Sequence, residues 1–120
     1  MRILIADDER DAADSFAELL RTGGYDVQAV YGGEEALEAA RSFDPQVVML
    51  DIEMPKISGD ETARRLRARY DRKRLLLVAI TGWTKPSDKI LARLAGFDHH
   101  IGKPFDAESV LRFLSSVARQ

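Results

Sequence analysis

The stretch Val47-Val48-Met49-Leu50-Asp51-Ile52-Glu53-Met54-Pro55 constrains this chain more than any other. Four apolar residues in succession, without polar alternation, read as a strand covered on both faces, and so as a central strand of a parallel sheet. Asp51 stands at the last step of that strand, and Pro55 keeps the ladder from continuing. A carboxylate ending a buried strand is costly unless something there uses its charge.

Three more apolar runs also end in polar groups. Ile3-Leu4-Ile5-Ala6 stops at Asp7-Asp8-Glu9, and Leu75 to Ile80 stops at Thr81. The short run Asp98 to Ile101 leads into Gly102-Lys103-Pro104, and Tyr25 to Val30, less apolar, reads as a strand nearer an edge. Helical spacing fills the intervals. Ala12, Ala13, Phe16, Leu19 and Leu20 run to a stop at Gly23-Gly24, and Ala36, Leu37 and Ala40 precede Asp44-Pro45. Thr62, Ala63 and Leu66 follow Ser58-Gly59. Ile90, Leu91, Leu94 and Ala95 are expected to form the inward face of a fourth helix closed by Gly96. Asp106 caps a fifth, with Val110, Leu111, Leu114 and Val117 inward. Five strands alternating with five helices predict an α/β fold: right-handed crossovers and one doubly wound parallel sheet.

In such a sheet ligands bind beyond the carboxyl ends of the strands, where strand order reverses. If the first strand neighbours the third, Asp7, Asp8 and Asp51 meet there, with Thr81 and Lys103 at the same edge. Three carboxylates repel one another unless a cation sits among them, and hard oxygen donors of this kind suit Mg2+. Thr81 offers a hydroxyl and Lys103 a point charge, both suited to phosphoryl oxygens. A carboxylate nucleophile, a divalent metal, a lysine and a hydroxyl together describe phosphoryl transfer through an aspartyl phosphate.

Composition narrows the partners. At 120 residues the chain makes one domain, and without cysteine it has no disulfide, thiol nucleophile or thiolate metal site. A formal net charge of -2 points to neither nucleic acid nor a membrane surface. Met1-Arg2 leads straight into a strand rather than a signal or spanning segment, so a cytoplasmic protein is expected. The basic run Arg64, Arg65, Arg67, Arg69, Arg72, Lys73 and Arg74 reads as the solvated face and C-terminal end of the third helix. His99 and His100 are adjacent in a strand and point to opposite faces, so they do not share a metal.

Taken in order, Ile5-Ala6-Asp7-Asp8-Glu9, Met49 to Pro55, Ile80-Thr81-Gly82 and Gly102-Lys103-Pro104-Phe105 resemble the receiver domains of two-component response regulators, across the whole chain. The resemblance implies a (βα)5 flavodoxin-like domain with strand order 2-1-3-4-5 over residues 1–120 and no effector domain. The resemblance is to single-domain regulators and to the receivers of hybrid histidine kinases, so the chain would be a single-domain regulator or a piece of a longer chain. It implies Asp51 as phosphoacceptor. Mg2+ would be held by Asp8, Asp51 and the backbone carbonyl of Glu53, with Asp7 acting through water. Thr81 is then the switch hydroxyl, and Lys103 pairs with the phosphoryl oxygens and precedes a cis Pro104. His100 stands where such domains carry the Tyr or Phe that turns with the threonine. Glu53, Gly82 and Trp83 flank the phosphoryl group, and Gly82 replaces a residue that is usually Ala.

The implied donor is a histidine kinase or histidine phosphotransfer protein. The implied output is a downstream protein meeting the face of the fourth helix, fifth strand and fifth helix. The chain would be a phosphorylation-dependent switch catalysing only its own phosphorylation and dephosphorylation. An aspartate-nucleophile phosphohydrolase would need a substrate pocket and a cap that these short loops do not build. A flavin- or nucleotide-binding domain would want a Gly-rich or hydroxyl-rich first loop in place of Asp7-Asp8-Glu9.

Overall fold

The computed structural model describes residues 1–82 and 86–118, and the side chains of 86–89 and 118 fall outside that description. Trp83 therefore lies outside the described residues. Five strands, β1 (Arg2–Ala6), β2 (Asp26–Val30), β3 (Val47–Asp51), β4 (Leu76–Thr81) and β5 (His99–Gly102), form one parallel sheet in the order β2-β1-β3-β4-β5. The helices α1 (Arg10–Thr22), α2 (Gly33–Phe43), α3 (Gly59–Arg69), α4 (Pro86–Ala95) and α5 (Ala107–Ala118) are the crossovers. The strand order reverses between β1 and β3, as the resemblance implies.

The unbroken apolar runs have a direct cause. Leu4, Ala6, Val48, Leu50, Leu77 and Ala79 face one core, shared with α2, α3 and α4. Their neighbours Ile3, Ile5, Val47, Met49, Val78 and Ile80 face the other, shared with α1 and α5. With both faces covered, period-two alternation carries no polar residues. All five residues of β3 are buried, Asp51 included. The less apolar β2 is an edge strand, as expected.

Local signals set the helix ends. Ser58 caps α3 by accepting the N–H of Glu61 at 3.2 Å, and Asp106 accepts the N–H of Ser109 at 2.7 Å in the first turn of α5. Thr62, Ala63 and Leu66 are buried on α3, and Val110 and Leu114 on α5.

The fourth helix departs from the sequence reading. Ile90, Leu91 and Leu94 are 62%, 59% and 75% exposed, while Ala92 and Ala95 are buried. The inward face is therefore turned by about one residue, or ~100° of helix, from the one its large side chains suggest. Small residues sit inward because the backbone at the end of α4 comes close to α3: a Cβ on Gly96 would lie 3.2 Å from Cβ of Arg67. Gly96 also has φ +111, the left-handed turn that ends the helix.

Arg67 is a second departure. It is not on a solvated face; its side chain is 17% exposed. It donates to the carbonyls of Gly96 (3.0 Å), Leu75 (2.8 Å) and Tyr70 (3.3 Å), and to Asp98 Oδ2 at 2.5 Å. Asp98, with a side chain 9% exposed, also accepts from Arg72 at 2.9 Å and from the N–H of Leu77 at 2.9 Å. The knot ties the ends of α3 and α4 to the starts of β4 and β5, at the amino edge of the sheet. The rest of the basic run is partly paired on the surface: Arg64 and Arg65 with Glu61, Arg74 with Asp44.

Candidate functional site

Register brings the polar strand ends together. Ala6 pairs with Leu50, Asp51 with Ile80, and Thr81 with Gly102, so Asp7, Asp51, Thr81 and Lys103 leave the sheet side by side. One carboxylate oxygen each from Asp7, Asp8 and Asp51 lies within 4.8 Å of the others. Asp51 is 7% exposed and Thr81 3%, whereas Asp8 is exposed and Asp7 half-buried.

Each oxygen of Asp51 has a protein donor. The N–H of Glu53 donates to Oδ1 at 3.0 Å, and Lys103 Nζ donates to Oδ2 at 3.2 Å. The N–H of Glu9 donates to Asp7 Oδ1 at 3.0 Å. These bonds fix two of the three carboxylates without neutralising them, since one lysine faces three acids. Burial pushes the Asp7 carboxyl above its usual range, the Glu9 N–H pulls it back, and the Asp51 charge pushes it further. A trio of hard oxygen donors with excess negative charge is of the kind that could hold a small divalent cation.

The remaining expected residues fall around this centre. The backbone N–H of Lys103 donates to the Thr81 carbonyl at 2.8 Å, continuing the ladder past β5, and the Lys103–Pro104 peptide is cis. Glu53 is exposed. Gly82 is exposed as well, and a Cβ there would meet open space. His100 is half-buried and, with Ala92, Arg93 and Phe97, lines a cavity of about 120 Å³ between β5 and α4. His99 instead sets its ring edge-on to Phe113 of α5, with centroids 5.0 Å apart.

One feature at the site had no signal in the sequence. A cavity of about 230 Å³ runs from Asp7, Asp51 and Lys103 down to Phe16, Met49 and Phe105. The rings of Phe16 on α1 and Phe105 before α5 lie 4.9 Å apart at its wall. Helical spacing reads Phe16 as core, and nothing in spacing alone tells a core ring from one beside a cleft.

Strand order and the acid trio at its reversal define a flavodoxin-like α/β domain with an acidic centre at the carboxyl edge. The chain belongs to the response regulator receiver domain family, whose sequence pattern matches residues 3–115. It is 33% identical over 120 residues to the response regulator MprA of Mycobacterium avium, covering all of this chain and 52% of that protein. The chain thus spans about half the length of the curated relatives it matches. Among solved structures it resembles the chemotaxis protein CheY4 of Vibrio cholerae, with a TM-score of 0.89 and 28% identity over 97% of each chain. It also resembles a response regulator from Chloroflexus aurantiacus, with a TM-score of 0.88 and 28% identity over 99% and 98% of the two chains.

Proposed function

We propose that this domain is a switch that takes a phosphoryl group on Asp51 from a phosphohistidine of a histidine kinase or phosphotransfer protein. The observation that carries the reading is Asp51 itself: a buried carboxylate, held from both sides, at the point where strand order reverses. One Asp51 oxygen attacks phosphorus, the phosphorus–nitrogen bond to the donor imidazole breaks, and the imidazole leaves with the electron pair. Lys103 moves from the Asp51 carboxylate to the transferred oxygens, a charge partner of the kind phosphoryl transfer uses. Mg2+, held by Asp8, Asp51 and the Glu53 carbonyl with Asp7 through water, would neutralise charge developing on those oxygens. Water later hydrolyses the aspartyl phosphate and resets the switch.

Thr81 is the hydroxyl that follows the phosphoryl group, and His100 on the neighbouring strand turns with it. The open space at Gly82 supports access of water to the bound group. The signal leaves through the face of α4, β5 and α5, where Ile90, Leu91 and Leu94 stand exposed. Incubation with phosphoramidate and Mg2+ is expected to add one phosphoryl group, read by mass spectrometry, and Asp51→Ala to abolish it. Undiminished labelling of that variant refutes the assignment.

A further inference from the structure

The first turn of α3 sits directly on the backbone of Asp51. Gly59, the first helical residue after the Ser58 cap, is buried, and its N–H donates to the Ile52 carbonyl at 3.0 Å. A Cβ placed on Gly59 would lie 2.4 Å from the Asp51 carbonyl oxygen, 2.6 Å from Cα of Ile52 and 3.0 Å from the Asp51 carbonyl carbon. All three are backbone atoms, so no side chain can swing aside to make room. Nor is glycine there for a left-handed turn: among the described residues, glycine adopts positive φ at Gly24 and Gly96. The first position of a helix accepts most residues, and glycine is a costly choice there unless space demands it.

We propose that Gly59 is a positioning residue for Asp51: the close approach of α3 to the Asp51 carbonyl sets where the acceptor carboxylate stands. Three further hydrogen bonds make the approach rigid. Ser58 holds the helix start through the Glu61 N–H and accepts the Thr62 hydroxyl on its carbonyl at 2.8 Å. On the other side, the Ile52 N–H donates to the Ile80 carbonyl at 3.2 Å, pinning the strand end to β4. The end of β3 is thus held between β4 and α3, and Glu53, two residues on, supplies the N–H that orients Asp51 Oδ1. A methyl group at position 59 needs about 1 Å of added separation to reach ordinary contact, and misplacement on that scale costs about 10²-fold in rate.

The inference rests on Asp51 as acceptor, and its test separates the two. Gly59→Ala is compared with Leu66→Ala, which opens a cavity on the same helix without touching Asp51, at a temperature where both are folded. Phosphorylation by phosphoramidate and Mg2+ affinity by calorimetry are read for each. Gly59→Ala is expected to lose about 10²-fold in rate and to bind Mg2+ more weakly, while Leu66→Ala stays within about threefold of the parent on both. Parental rate and affinity in Gly59→Ala, or equal losses in Leu66→Ala, overturn the proposal. If Gly59→Ala does not fold, NMR of the parent with Mg2+ and beryllofluoride decides: the Gly59 resonances shift, and unmoved ones overturn it. A parent that binds Mg2+ but never labels sinks the phosphoacceptor reading alone, because the affinity comparison still judges Gly59.

Discussion

Removing the Asp98 carboxylate tests the knot at the amino edge. Asp98→Ala deletes three acceptor contacts: Arg67 at 2.5 Å, Arg72 at 2.9 Å and the Leu77 N–H at 2.9 Å. The Arg72 share is small, since that side chain is 58% exposed and exposed pairs contribute about 0–1 kcal/mol. The Arg67 share is larger, because breaking a buried ion pair from one side costs about 3–5 kcal/mol. It falls toward the lower end here, as Arg67 keeps its carbonyl partners at Gly96, Tyr70 and Leu75. The orphaned Leu77 N–H adds about 1 kcal/mol. The expected loss is about 4 kcal/mol, or roughly 15 °C in melting temperature for a domain of this size. Urea unfolding followed by circular dichroism measures it, with Arg72→Ala as the companion losing less than about 1 kcal/mol. A loss below about 1 kcal/mol for Asp98→Ala would show that Arg67 is held by its carbonyls alone.

Three further outcomes follow from the same structure. Because metal binding to the folded state alone stabilises it, the melting temperature is expected to climb with Mg2+; Asp8→Asn flattens that climb and melts no lower than the parent in EDTA, and a parental curve indifferent to Mg2+ contradicts the acid trio as a cation site. Leu94→Ala, at a side chain 75% exposed, is expected to change stability by less than about 0.5 kcal/mol, while Leu114→Ala, fully buried, costs about 2–5 kcal/mol; similar losses at both would restore the inward α4 face that the sequence suggests. The pH arm concerns Asp7, whose pKa burial raises: a native state that holds a proton more tightly than the unfolded chain loses stability as pH rises from the ordinary Asp value through the raised one. In EDTA the parent should therefore fall off across that window more than Asp7→Asn does, and identical pH profiles would remove the strain assigned to Asp7.

Strands and site were legible because their signals are local. The run Val47 to Leu50 and its terminal Asp51 state both burial and edge in five letters, and the strand order came from the resemblance that the four motifs carry. The face of α4 was not legible. Its large apolar residues mark one stripe, but the inward side is chosen by how closely Gly96 and Arg67 bring two backbones together, a distance between elements that no periodicity contains. Arg67 hid for a related reason: in a run of seven cations the sequence does not say which one turns inward to meet Asp98. The close contact of Gly59 had a faint signal, a glycine inside the Ser58-to-Glu61 cap where a better helix former would serve.

The Arg67–Asp98 knot, at the starts of β4 and β5, and the acid trio, at the ends of β1 and β3, lie at opposite edges of the same sheet, and that separation has an evolutionary consequence. A buried ion-pair knot stands at the amino edge and electrostatic tension at the carboxyl edge, and among the described residues the two share no partner. Substitutions at distant sites without common partners add to within about 0.5 kcal/mol. A lineage can therefore retune the chemistry around Asp51, adding or removing a charge, and restore what it loses in fold strength through a change at the other edge of the sheet, without either step disturbing the other. The sheet works as an insulator as much as a scaffold: selection acts on its two ends as nearly independent traits.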